Sequence, residues 1–167
     1  GNHFQRGTLI DQVDVSNLTV QDLADRVDAY FLRIQERKSD GSIYEESIDG
    51  KAIDLSYAST EPLQQILREQ NQYLWFLPQH EEHETEALLS YNKDKLTQAV
   101  QALKGFEEDF AQAPTNAHIS EYTPEAGFSI VAETQGNELD QAKTLEVISN
   151  AVEELKGLVD LDAEGCY

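Results

Sequence analysis

Methionine is absent from the sequence and cysteine occurs once. Without an initiator, residues 1–167 are expected to be a trimmed product, with Gly1 the remnant of a tag and some segment removed ahead of Asn2, whether a few residues, a signal peptide or an anchor. The compartment is left open by this reading. Cys166 stands next to the last residue, which excludes an intrachain disulfide and a cysteine zinc cluster. Cations are scarce: 12 Lys and Arg face 32 Asp and Glu, for a net charge of -20 and an isoelectric point near 4.3. Such a field repels nucleic acid and anionic membrane surfaces and steers basic surfaces toward the chain. No apolar run approaches the length of a membrane span, so the chain as given reads as soluble, with no membrane contact by these residues. Also missing are a phosphate-cradling glycine loop, a Gly-x-Ser-x-Gly elbow, a Cys-x-x-Cys pair and a basic stripe with interleaved aromatics.

What remains is the composition of one folded unit. A hydrophobic content of 40% with 26% charge is ordinary for a globular protein, and a chain of this length can bury roughly 70% of its unfolded surface. The expected division is a flexible lead-in over 1–15, a single α+β domain over 16–159 and a frayed acidic tail over 160–167.

Periodicity supplies the elements. Val20, Leu23, Val27, Phe31 and Ile34 recur at helical spacing behind a capping box at Thr19 and Asp22, and Arg37 and Lys38 suit the negative helix end. Two short runs then bracket Asp49-Gly50, a dipeptide favoured in tight hairpin turns. Thr60 and Pro62 open a second helix that Pro78 ends, and a third runs from Asn92 through Phe106. A second hairpin is expected around Pro124 to Gly127, with Phe128, Ile130 and Ala132 alternating. The last helix, from about Leu139 to Leu158, carries the seam Leu145, Ile148, Val152, Leu155 and Val159, which could also serve a homodimer. The pattern predicts an α+β fold of helix, hairpin, helix repeated twice, a duplicated αββα unit with helices packed on one face of antiparallel hairpins.

The run QHEEHETE, Gln79 to Glu86, invites a metal reading, because His80, His83 and Glu84 could share a helix face and His118 could complete the set. A zincin requires its histidines four apart, whereas these are three apart, and a charged helix start after Pro78 explains the acids by their attraction to unpaired backbone donors. DLDAEG, Asp160 to Gly165, resembles the first half of a calcium loop but lacks the later bidentate glutamate. Glu107, Glu108 and Asp109 form an acidic patch where the third helix should end, and Tyr73 and Trp75 are aromatic candidates for a binding hot spot.

These observations favour a noncatalytic acidic protein that binds a basic protein partner, of the immunity-protein, antitoxin or nucleic-acid-mimic type, with no cofactor. One alternative is a metal-dependent hydrolase built on the His80 and His83 region. Another is an extracytoplasmic domain whose anchor or signal has been removed.

Overall fold

The computed structural model describes residues 1–11, 13–57, 59–72, 82–83 and 89–167. The chain opens with two short strands, β1 (Leu9–Ile10) and β2 (Val13–Asp14), and continues through α1 (Val20–Asp28), β3 (Phe31–Arg37) and β4 (Ile43–Asp49). A 3-10 turn over Gly50–Ile53 leads to β5 (Ser56–Tyr57), α2 (Glu61–Gln72), β6 (Glu82–His83) and β7 (Leu89–Ser90). Then come α3 (Lys93–Gln101), a second 3-10 turn (Lys104–Phe106), β8 (His118–Ile119), β9 (Ile130–Val131), α4 (Gln141–Glu153) and β10 (Leu158–Asp160).

The class is α+β, as the pattern predicts, but the structure does not confirm a duplicated αββα unit. The first helix is shorter than expected. Its capping box is present, with Asp22 N–H donating to Thr19 Oγ1 and Thr19 N–H to Asp22 Oδ2. The helix nevertheless stops at Asp28, and Phe31 and Ile34 lie in β3. Helical spacing continued through them by coincidence, because the stretch also alternates: Leu32, Ile34 and Glu36 point inward while Phe31 and Arg33 are exposed. Pairing decided the outcome. β3 lies between β10, parallel to it, and β4, antiparallel over seven residue pairs.

The turn of that hairpin uses the other Asp-Gly pair. Lys38 N–H donates to the Ser42 carbonyl, Asp40 Oδ1 accepts from Ser42 N–H, and Gly41 takes a φ of 82°. Asp49 instead caps the 3-10 turn through Lys51 N–H.

One core packs α1, α3 and α4 against the inner face of β3, β4 and β10, with Leu32, Ile34, Ile53, Ile148, Val152 and Leu161 fully buried. A second holds Phe4, Ile10 and Val15 against Leu23, Leu63 and Ile66, so the lead-in residues are packed. The C terminus is likewise built in rather than frayed: Leu161 and Cys166 are buried and Asp160 Oδ1 accepts from Asp162 and Ala163 N–H. The α4 seam turns into this core through Ile148 and Val152, with Leu145 and Leu155 packed against it, so the seam suggested for a homodimer is used within the fold; Val159 belongs to β10, not to the helix.

Two carboxyls, one buried and one half-buried, fasten the Lys104–Phe106 turn to the sheet. Glu36 Oε1 accepts from Gly105 N–H at 2.9 Å and Glu46 Oε1 from Lys104 N–H at 2.7 Å. Gly105 permits this approach, since a Cβ there would collide with both Leu139 and Glu36. Glu36 is 1% exposed, and burial first, then the neighbouring Glu46 carboxyl, push its pKa up to about 8.

Candidate functional site

The second hairpin is the element that leaves the body of the fold. Its ladder runs from the Thr115–Thr134 bridge through His118–Ile119 and Ile130–Val131 to the Ser120–Ser129 backbone bond of 2.7 Å, and Gly127 closes it with a φ of 67°. Of the run Phe128, Ile130 and Ala132 expected to alternate in a strand, only Ile130 lies in β9, all three are exposed, and no helix among the described residues buries them. Ile119 and Ile130 stand opposite one another, 70% and 83% exposed, and the rings of Tyr122 and Phe128 meet at 5.3 Å while staying 63% and 69% exposed. A two-stranded hairpin is marginal by itself in water. Here its base is clamped: Asn137, fully buried, accepts from Gln112 N–H and donates to the carbonyls of Arg37 and Phe110. The two legs approach so closely that a Cβ on Gly136 would strike Pro114 and the Gln112 carbonyl.

Beside that base opens a cleft of about 460 Å³, walled by Pro114, Gln135, Gly136 and Glu138 on one side and by Arg37, Asp162 and Tyr167 on the other. It lies within the range of ordinary ligand pockets. Arg37 organises it. Its guanidinium donates to Asp162 Oδ1 at 2.5 Å and to the Gly136 carbonyl at 2.8 Å, and stacks 4.3 Å from the centre of the Tyr167 ring. Tyr167 in turn accepts from Arg37 N–H at its hydroxyl, and burial raises its pKa. The last residue and the end of β3 thus fix each other across the cleft floor.

The hairpin and its legs carry side-chain charge of one sign apart from histidine. No Lys or Arg occurs between Lys104 and Lys143, while Glu121, Glu125, Glu133 and Glu138 all fall in that interval. An apolar hairpin, an aromatic floor and uncompensated carboxylates can together grip a ligand with flat apolar faces and polar or cationic groups.

The residues singled out from the sequence are scattered. Glu107, Glu108 and Asp109 follow the Lys104–Phe106 turn, exposed, with Glu107 paired to Lys104, so α3 ends before them and they do not oppose its dipole. His118 lies in β8, exposed on the hairpin, its Nδ1 3.2 Å from the Asn116 carbonyl. Tyr73, Trp75, His80 and Glu84 fall outside the described residues. His83 is described only in its backbone, and there the expected helix start is overturned: Glu82 and His83 form an extended strand pairing parallel with Leu9 and Ile10. That partner is more than seventy positions away in sequence, beyond the reach of local periodicity. No group of three or more His, Cys, Asp or Glu placed to share a metal ion occurs among the described residues.

Residues 46–160 match the model of a family described as "Putative peptidoglycan binding domain". The chain belongs to this family. No curated protein and no solved structure matches it. The peptidoglycan-binding family segment begins within β4 and ends with β10, so it carries the whole hairpin, Gly136 and Glu138. Arg37, Asp162 and Tyr167, the opposite wall of the cleft, lie outside it. No helix among the described residues is long and apolar enough to cross a membrane.

Arg37, Gly136, Glu138 and Tyr167 are the residues that reasoning from sequence missed as a site. Arg37 was expected as a helix-end cation. One signal was available: the cation-free interval from 105 to 142 marks where an acidic surface would be concentrated.

Proposed function

We propose that the chain is a noncatalytic module that binds the peptidoglycan polymer of a cell wall, outside the cytoplasm, through the hairpin and the cleft at its base. The observation that carries this reading is the uncovered apolar face of Ile119, Phe128 and Ile130 inside the family segment, held rigidly at its root. Exposed apolar surface of this kind marks an interaction site. Sugar rings have flat C–H faces that pack on aromatic side chains, and a preformed hairpin loses little conformational freedom on binding.

Sedimentation with insoluble peptidoglycan tests the reading. The chain is expected to pellet with the polymer, and soluble disaccharide-peptide fragments should release it in proportion to their concentration. Pelleting that fragments cannot compete away, or that a cellulose control reproduces, counts against it.

The net charge supports a second reading, in which the hairpin docks on a basic protein. In that case the chain stays in the supernatant with peptidoglycan and binds a cationic protein surface with an affinity that falls as salt rises.

A further inference from the structure

We infer that the cleft recognises the free amine of the polymer's peptide stems, and that Glu138 is the carboxylate that receives it. The inference rests on the polymer-binding reading above and specifies which part of the polymer the cleft takes.

A wall glycopeptide offers three chemistries: sugar rings with hydroxyl and acetamido groups, carboxylates along the peptide stems, and primary amines on unlinked diamino residues. The hairpin's exposed rings suit the sugars, and the charges in the cleft decide between the other two. Among the described residues lining the cleft Arg37 is the one cation; its terminal nitrogens donate to Asp162 and to the Gly136 carbonyl, its plane lies over the Tyr167 ring, and its Nε, which has no partner, is buried out of reach of a ligand. Its side chain is 13% exposed, so an incoming carboxylate would have to break contacts already made to reach it. No lysine or arginine on the hairpin or its legs could replace it. A carboxylate entering here meets like charge without a compensating donor, and that is costly.

Glu138 stands in the opposite condition. It is exposed on the cleft wall and has no ion-pair partner among the described residues. With Arg37 and Asp162 neutralising each other, its carboxylate is the unbalanced charge of the cleft. An ammonium placed there forms charge-assisted hydrogen bonds with Glu138.

The test is titration of the chain with three soluble disaccharide-peptide fragments: one with its amine free, one acetylated on that amine, and one with its carboxylates amidated. Acetylation is expected to weaken binding about fivefold or more, amidation to leave it unchanged or tighten it, and rising salt to weaken the free-amine fragment selectively. Glu138→Gln should bind the free and acetylated fragments equally, while Glu125→Gln, which removes a charge from the hairpin's tip, keeps the discrimination. Equal binding of free and acetylated fragments by the parent chain, or discrimination surviving in Glu138→Gln, overturns the inference while leaving polymer binding intact. Failure of all three fragments to bind overturns the polymer reading and the inference with it.

Discussion

Glu36→Gln is expected to stabilise the fold, by little near pH 5 and by on the order of 2 kcal/mol near pH 8. The carboxyl lies on the inner face of β3, 1% exposed, holding Gly105 N–H, with the Glu46 carboxyl beside it. Burial acts first and Glu46 second, and together they lift its pKa from 4.5 to about 8. The folded chain therefore keeps a proton that the unfolded chain releases across that window. Stability contributed by this group is fully present below about pH 4.5, declines as pH rises toward about 8, and is flat above. Glutamine copies the protonated acid: its carbonyl can accept from Gly105 N–H and its amide can donate to Glu46, with no proton to lose. Denaturant titrations of parent and variant at pH 5 and 8 check this. Curves separated by the same amount at both values would show that Glu36 is not the titrating group.

The second large effect is on binding. Tyr122→Ser combined with Phe128→Ser is expected to weaken attachment to insoluble peptidoglycan at least about tenfold, a loss of roughly 1.4 kcal/mol or more. Stability should hardly change, because both rings are mostly exposed and their described ring contact is with each other. The clamp at the hairpin base, made by Asn137 and the crossing of Gly136 over Pro114, is untouched by these substitutions. An unchanged melting temperature together with unchanged pelleting places the contact elsewhere on the chain.

The local rules of the sequence were legible where a single element satisfied them by itself. Thr19 and Asp22 announced a helix start, Asn92 caps α3 through Lys95 N–H, and Pro124 to Gly127 marked a hairpin tip. Where two periods overlapped, the distant partner chose between them. Phe31 and Ile34 fit a helix as well as a strand until β10, more than a hundred residues later, paired with β3. Of the two Asp-Gly pairs, the one that turns the hairpin is set by which register buries Leu32 and Ile48 together.

The site was harder to read for a related reason. Its cleft joins Arg37, Gly136 and Tyr167, and no spacing rule links a strand end, a hairpin leg and the last residue. Alternation in Phe128, Ile130 and Ala132 foretold a strand with one apolar face, and burial was the natural inference from it. Only the three-dimensional arrangement shows that face to be uncovered, which turns an expected piece of core into the candidate contact surface. Acidity was visible from the start, whereas the pairing of Arg37 with Asp162 beside Glu138 was not.

If the hairpin and the cleft beside it hold the polymer, their backbone amides are shielded when it binds. Amide hydrogen exchange, with and without a soluble disaccharide-peptide fragment, reads this directly. Slower exchange is expected, confined to residues 115–138 and to Asp162–Tyr167. Slowing that appears only on the outer face of β3 and β4, with the hairpin amides unchanged, would contradict it.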